Sequence, residues 1–478
     1  MVDKSRGITT ATAMVQSLRG KVTRVSALRV IVTLIIVLLH ECDALFGRKR
    51  REREQKEREE AERLSKLVFI FGFGVSKSVF YIITSVVAVA IAFLLLGTHG
   101  GGSRKRGNRP DAEGTLDVVL VGCGLPKKGM GWFHLTQLLE MERVNVIAVV
   151  EPFFMNPELC PTPPDSWNEL MTSLVEIGVQ VVPSVAALTP APKKLTMCLI
   201  AGRTHDNPKL VHDSIVHFGA KLVYLEKPGA STVEELAHMQ SLAEENDAKI
   251  FIGYNKNVSP YIQQAVAVAR KTKNAHIFVS HNNSYTHSDL PEVFARNPEG
   301  MLKNMAIHEL ALLVTYFDVS VDKIAKFKVN SSKLFSEKVS VWKPGTSLPN
   351  PEYITDFSRC AFKITLTNGN LVSVMADRCG GNVSFAVVKD EAGKEVERFE
   401  FPSPSELAQI EQQVASDPDM MPYFLVQRQD YLELKNRVVN AALDGTEAEG
   451  VATLSVGIEA MKLAEYATGA LDKAIHAK

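Results

Sequence analysis

The sequence lacks a surplus of charge of either sign, and it has few cysteines. Its 478 residues include 54 Lys and Arg against 54 Asp and Glu, so the formal net charge is zero. A chain without a basic excess, and without a basic patch interleaved with aromatic residues, is not predicted to bind nucleic acid. The six cysteines are scattered and show no C-x-x-C spacing. We therefore predict neither a disulfide framework nor a zinc site, and we assign no metal ligand.

One lysine stands out among the charged residues that are present. Residues 222–228, Leu-Val-Tyr-Leu-Glu-Lys-Pro, place Lys227 at the end of a short apolar run that Pro228 terminates. Such a run predicts a buried strand of a parallel sheet, and ligands of open α/β sheets bind beyond the carboxyl ends of the strands. A lysine there is a candidate for proton chemistry because its pKa responds to burial. Taken alone, the pattern favours a lysine that reaches into solvent.

A glycine turn lies upstream of this lysine. Gly122 and Gly124 directly follow the apolar strand predicted over residues 117–121. A helix and a second strand come next, which is the context of a dinucleotide-binding turn. The third glycine is displaced to Gly131, so residues 125–130 are interpreted as an insertion. This arrangement predicts that backbone N–H groups bind a pyrophosphate.

Glu151 bears on the choice of cofactor. It follows the strand predicted over residues 144–150. A carboxylate there would accept hydrogen bonds from a ribose diol and repel a 2′-phosphate, which favours NAD. Lys127 and Lys128 could instead neutralise an extra phosphate, which favours NADP. Both cofactors stay open, and Glu151 is equally typical of a surface turn.

Further segments follow in a fixed order along the chain. They are Gly-Trp-Phe-His at 131–134, Glu-Lys-Pro at 226–228, and segments 253–257, 300–308 and 456–467. With them, the chain resembles the glucose-fructose oxidoreductase / inositol dehydrogenase family of NAD(P)-dependent oxidoreductases. The resemblance implies an α/β chain with a Rossmann domain over residues 111–253. It also implies an α/β domain over residues 254–478, whose large, mostly antiparallel open sheet commonly mediates homo-oligomerisation.

The resemblance also implies roles for individual residues. It implies cofactor contacts from Gly122, Gly124, Gly131, His134, Glu151, Glu226 and Pro228, and substrate contacts from Tyr254, Asn255 and Lys256. His134 is equally typical of a histidine that packs within a helix. The implied substrate is a sugar, a cyclitol or a related polyol derivative.

The implied catalytic residues are Lys227, His308 and Asn304. His308 follows Asn304 by four residues, so on one helix the two side chains would share a face. His308 could take the proton of a carbinol, while the Lys227 ammonium stabilises the developing alkoxide. The family has aspartate where this chain has Asn304, and an amide carries no proton. Glu309 is not a substitute, because adjacent side chains on a helix diverge.

Two rival functions stay open at the level of the sequence. A non-catalytic NAD(P)-binding sensor or membrane scaffold is favoured by Asn304, whereas the retained Lys227 and His308 favour an enzyme. An enzyme that reduces an imine or a ring double bond could use the same Rossmann frame.

The first 110 residues differ in composition from the rest of the chain. Residues 79–97 are apolar and uncharged, and they are long enough to cross a bilayer. The shorter apolar segment 28–46 is interpreted as a second span, a re-entrant segment or part of a targeting signal. Basic residues flank residues 79–97 on both sides, so their count leaves the orientation open. Because NAD(P) is needed, we predict a membrane-anchored protein whose catalytic domain faces the cytosol.

Overall fold

The computed structural model describes residues 114–191, 194–346 and 352–476. These residues form two seven-stranded sheets with helices packed against them. The predicted membrane segments, residues 79–97 and 28–46, lie outside the described residues. Within the described ranges, no helix combines the length and the apolar character that a bilayer span requires.

The first sheet has the order β14-β6-β5-β4-β1-β2-β3, in which β14 is Ala452–Thr453 and β1 to β6 are parallel. Its parallel strands are β1 (Leu116–Val121), β2 (Val144–Val150), β3 (Gln180–Val182), β4 (Thr196–Ile200), β5 (Leu222–Leu225) and β6 (Lys249–Ile252). The connecting helices are α1 (Met130–Glu140), α2 (Asp165–Glu176), α3 (Asn207–His212) with a π-helix at Asp213–Phe218, and α4 (Val233–Glu245). β1 lies between β2 and β4, where the strand order reverses, and ligands of such sheets bind at this point.

Apolar side chains cover both faces of the first sheet. Val119 and Val121 of β1 belong to one buried cluster, whereas Val118 and Leu120 belong to another. A strand that is buried on both faces reads as a continuous apolar run. Burial on both faces therefore explains the continuous apolar run over residues 117–121, from which a strand was predicted.

The end of the chain returns to the first sheet. There, α10 (Pro422–Asp444) is followed by β14 (Ala452–Thr453) and α11 (Leu454–His476). Ala452 pairs with Ile252 at the edge of the sheet in antiparallel orientation. The sheet is therefore completed by residues far beyond position 253, where sequence analysis ended the Rossmann domain.

The second sheet is mostly antiparallel, and only the pairing of β7 with β11 is parallel. Its strands are β7 (His276–Asn282), β8 (Ile324–Val329), β9 (Glu337–Trp342), β10 (Tyr353–Leu366), β11 (Leu371–Asp377), β12 (Ser384–Lys389) and β13 (Glu395–Phe401). The accompanying helices are α5 (Pro260–Lys271), α6 (Leu290–Arg296), α7 (Met301–Asn304), α8 (Ile307–Phe317) and α9 (Pro404–Ser416). Gly369, with φ +87°, makes the turn between β10 and β11.

One prediction about this region is wrong. Sequence analysis placed Asn304 and His308 on one continuous helix, but α7 ends at Asn304 and α8 begins at Ile307. The backbone N–H groups of Met305 and Ala306 both donate to the carbonyl of Met301, at 2.9 and 3.0 Å. The helical register slips by one residue there. The four-residue spacing therefore does not by itself put Asn304 and His308 on one face.

Candidate active site

The glycine turn after β1 has the backbone geometry that its sequence predicted. Gly122 and Gly124 have φ values of +84° and +71°, which side-chain-bearing residues rarely adopt. Gly131 lies in the first turn of α1, and a Cβ there would come within 1.8 Å of the Gly122 carbonyl oxygen. The extra residues form a closed turn, in which the Gly129 N–H donates to Leu125 O at 2.7 Å. Helix and turn therefore pack as a dinucleotide pyrophosphate requires, so the backbone fits this cofactor.

Glu151 lies beside this turn and is buried. Its Oε2 accepts a hydrogen bond from the Gly124 N–H at 2.8 Å. Its Oε1 accepts from the N–H groups of Phe153 and Phe154 at 3.0 and 3.4 Å. A carboxylate has about four acceptor positions, so these bonds leave one for a ribose hydroxyl.

The segment before α10 covers the glycine turn. Lys127 Nζ contacts Asp417 Oδ1 at 2.8 Å, and the Met421 N–H donates to Lys127 O at 3.4 Å. Phe424 stacks on Phe133 of α1, with ring centroids 4.8 Å apart. One of the two lysines considered for an extra phosphate is thus paired with a carboxylate.

Lys227 directly follows β5 and Glu226, and its peptide bond with Pro228 is cis. Its Nζ donates to the backbone carbonyl of Asn304 at 3.0 Å. Burial lowers the pKa of Lys227, although the negative charge of Glu226 opposes the effect. The structure therefore brings Lys227 to Asn304 at the end of α7, and these are two of the three residues predicted to be catalytic.

Glu226 belongs to a buried network that includes a lysine missed by sequence analysis. Glu226 Oε1 lies 2.9 Å from His134 Nε2, and Lys435 Nζ of α10 lies 3.0 Å from His134 Nδ1. Lys435 also donates to Gln137 Oε1 at 2.6 Å. Burial lowers the pKa of Lys435 to about 7 and that of His134 to about 4. Because the Glu226 carboxylate only accepts hydrogen bonds, the network assigns the His134 proton to Nε2, facing Glu226.

His308 lies near the start of α8 and is buried. Its ring meets Tyr254 edge to face at 6.0 Å, and its Nδ1 has no hydrogen-bond partner among the described residues. Burial and the positive charges of Lys227 and Lys256 hold the pKa of His308 well below its usual range. Lys227 and His308 therefore share one electrostatic environment, and His308 is neutral near pH 7.

A second buried charge cluster lies next to His308. Glu309 Oε1 contacts Lys256 Nζ at 2.7 Å, and its Oε2 contacts His281 Nδ1 at 2.9 Å. Burial alone would raise the pKa of Glu309, but positive charge at His281 and Lys256 holds it below its usual value. Sequence analysis assigned no role to Glu309 and did not single out His281. The only local signal for His281 was its place near the carboxyl end of the apolar strand β7.

The predicted substrate residues line the same buried region. Asn255 Nδ2 donates to Gln427 Oε1 of α10 at 2.8 Å. The Tyr254 hydroxyl and Asn255 Oδ1 are buried, and neither has a hydrogen-bond partner among the described residues. Buried polar groups are normally paired, so these atoms are positions at which a polar ligand or water would be stabilised.

The chain has the same two-sheet fold as several solved dehydrogenases. Scyllo-inositol dehydrogenase from Lactobacillus casei, solved with bound NAD(H) and scyllo-inositol, is 14% identical with a TM-score of 0.51, covering 75% of this chain and 97% of its own. Myo-inositol 2-dehydrogenase from Lactobacillus plantarum is 13% identical with a TM-score of 0.52, covering 75% and 97%. Identities at this level show a common fold and nothing more specific.

The same fold also occurs in a protein outside the group of dehydrogenases named above. A super-repressor mutant of Gal80p from Saccharomyces cerevisiae is 15% identical with a TM-score of 0.52, covering 76% of this chain and 96% of its own. No protein-family model and no curated protein matches the chain.

Proposed function

We propose that this chain is an NAD(P)-dependent oxidoreductase that acts on a hydroxyl or carbonyl group of a sugar, a cyclitol or a related polyol derivative. The observation that carries the proposal is the approach of partly buried Lys227 to the segment of buried His308: its Nζ donates to the Asn304 carbonyl at 3.0 Å, and its charge lowers the pKa of His308. Strongly perturbed pKa values within one buried site are typical of catalytic groups. The inositol dehydrogenases of the same fold support the substrate class.

The cofactor proposal rests on the glycine turn. Gly122, Gly124 and Gly131 would let the backbone approach a pyrophosphate, and Glu151 would accept a bond from a ribose hydroxyl. A bound nicotinamide would supply the hydride acceptor or donor. NAD and NADP both fit, because Glu151 favours the first, whereas Lys128 is available near the turn for a further phosphate.

Side chains of this protein would accept and return the proton of the substrate hydroxyl. The ammonium of Lys227 would polarise the substrate oxygen and stabilise developing negative charge. Neutral His308 offers the unpaired Nδ1 as a proton acceptor during oxidation of an alcohol, and it would return the proton during reduction. Asn304 would hold a hydroxyl without exchanging a proton.

A screen of nicotinamide absorbance with the purified chain tests this proposal. Sugars, cyclitols and other polyols are offered with NAD and with NADP. We expect turnover that falls by at least about 100-fold in Lys227→Met and in His308→Ala, because general acid–base groups typically contribute that much. The matched controls are Lys273→Met and His238→Ala, whose side chains are exposed and which should retain full activity.

The alternative is a non-catalytic NAD(P)-binding sensor or scaffold. Asn304 favours it, and the super-repressor mutant of Gal80p has the same fold. The two functions differ in one result of the screen: NADH binding without turnover of any substrate would favour the sensor. Turnover that survives both active-site substitutions would contradict the roles proposed for Lys227 and His308.

Membrane anchoring and self-association are further parts of the proposal. We propose that residues 79–97 anchor the chain and that the folded part faces the cytosol. Release of the full-length chain into the supernatant by carbonate extraction would contradict the anchor. We also propose a homo-oligomer formed through the second sheet, and a monomeric mass in sedimentation analysis would contradict it.

A further inference from the structure

The surface of the helical segment between β4 and β5 carries two histidines and one aspartate whose possible ligand atoms converge. We propose that His212, Asp213 and His217 form a binding site for a divalent transition-metal ion of the zinc class. The three possible ligand atoms lie within 4.8 Å of one another. This site is independent of the proposed oxidoreductase activity.

The distances between the ligand atoms suit a tetrahedral ion. His212 Nδ1 lies 3.3 Å from Asp213 Oδ1, and His217 Nε2 lies 3.6 Å from the same oxygen. Zinc binds imidazole nitrogen and carboxylate oxygen at roughly 2.1 Å, so two ligands of a tetrahedral site are about 3.4 Å apart. The observed separations lie on either side of this value.

A local feature of the backbone brings the two histidines together. Five positions along an α-helix correspond to a rotation of about 140°, which separates the side chains. Here the chain changes at Asp213–Phe218 from an α-helix to a π-helix, whose wider turn brings His212 and His217 to the same side. Their ring centroids are 5.4 Å apart.

The chemistry of the three ligands selects the class of ion. Two imidazoles and one carboxylate suit zinc and similar ions, whereas magnesium and calcium prefer oxygen ligands throughout. Three protein ligands leave a fourth position for water. Lys209 contacts the second oxygen of Asp213, so it orients the carboxylate and also competes with a cation for it.

A single histidine–aspartate pair elsewhere on the surface provides a control. His205 Nε2 lies 3.2 Å from Asp206 Oδ1, and both side chains are exposed. No second histidine or cysteine joins this pair in a metal-binding group within the described ranges. The contact of His205 with Asp206 is an ordinary surface ion pair. Such a pair does not account for the arrangement at Asp213, where two imidazoles lie beside one carboxylate oxygen.

Calorimetric titration of the metal-free chain with zinc chloride tests the site. We expect the chain to bind one zinc ion more than the double variant His212→Gln/His217→Gln. Either single substitution should weaken this binding by at least about 10-fold, because even indirect supports of metal ligands contribute that much. His205→Gln should bind zinc like the unaltered chain, and excess magnesium should not displace the zinc.

A second variant gives an effect of opposite sign and keeps all three ligands. Lys209→Met removes the competing ammonium, so zinc should bind several-fold more tightly. Equal zinc stoichiometry and affinity in the unaltered chain and in the folded double variant would overturn the proposal. If circular dichroism shows that the double variant is unfolded, unchanged zinc affinity in Lys209→Met would overturn it instead. Neither result bears on turnover of polyols.

Discussion

At the scale of single residues, the candidate site consists of charges that have been removed from water. Lys227, Lys256 and Lys435 all have lowered pKa values, and burial is the largest cause in each case. Taking an ammonium out of water is expensive unless it is paired or loses its proton. Three lysines with lowered pKa values in one region therefore mark a site in which charges interact strongly, because little water screens them.

From the lowered pKa of Lys435 we predict how the free energy of unfolding depends on pH. Its pKa is lowered from the ordinary 10.5 to about 7 in the folded chain. Between these two values the unfolded chain holds a proton that the folded chain has lost, so the free energy of unfolding rises with pH. The rise is at most about 1.4 kcal/mol per pH unit for one group. Urea unfolding of the chain and of Lys435→Met from pH 7 to 10 should give a shallower slope for the variant. Parallel curves would contradict the buried position of Lys435.

We predict a large loss in the free energy of unfolding when the charge of Glu309 is removed. In Glu309→Gln, Lys256 would keep its burial but lose the carboxylate 2.7 Å away, and His281 would lose its partner. Breaking a buried pair in this way typically destabilises a protein by about 3–5 kcal/mol. The matched control is Glu459→Gln at the surface pair with Lys462, where we expect a loss below about 1 kcal/mol. Urea unfolding measures both losses, and similar values for the two variants would refute the cluster.

Sequence reasoning identified some of these residues and missed others for a physical reason. Lys227 was found because a strand, a proline and a motif mark its position locally. Lys435 meets His134 across 301 positions of sequence, and no local pattern in α10 marks that contact. Lys256 was predicted as a substrate contact, but its pairing with Glu309 depends on tertiary packing.

At the scale of secondary-structure elements, the approach of α1 to the glycine turn is the tightest constraint. In Gly131→Ala the added methyl group would clash with the Gly122 carbonyl oxygen, so α1 must move away. We expect a loss of about 1–3 kcal/mol in the free energy of unfolding, together with weaker NADH binding.

Gly469→Ala is the matched control for that substitution. Gly469 lies within α11, and apart from the helix's own backbone and the adjacent residues, no atom of the described part of the chain lies within 4 Å of a Cβ added there. Alanine should therefore stabilise the helix by roughly 0.5–1 kcal/mol. Thermal unfolding measures both changes. A neutral or stabilising Gly131→Ala substitution would contradict the packing of α1 on the turn.

The interrupted helix at residues 301–317 shows where periodicity stops being informative. One helix was expected here because residues 300–308 resemble a helical segment of the family and because Asn304 and His308 are four residues apart. The slip at Met305 and Ala306 comes from two N–H groups that share one carbonyl, a detail that leaves no mark on apolar spacing. Nor did the spacing of apolar residues mark the π-helix at Asp213–Phe218.

At the scale of the whole molecule, the order of elements was largely predictable, but the return of the chain to the edge of the first sheet was not. Apolar runs separated by helical segments indicated the parallel sheet, and Asn368-Gly369-Asn370, between two apolar runs, is a sequence typical of the hairpin turn that joins β10 and β11. The return of α10 and β14 to the first sheet could not be predicted, because a two-residue strand carries no pattern. This return places Lys435 and Gln427 in the candidate site.

The central claim is that partly buried Lys227 and buried His308 act on one another within a single site. An NMR titration of the His308 imidazole measures this directly, with exposed His238 as the internal control. We predict a pKa of His308 well below 6.5 that rises in Lys227→Met, while the ring signals of His238 at a fixed pH stay the same in both proteins. A His308 pKa near 6.5 that does not respond to Lys227→Met would contradict it.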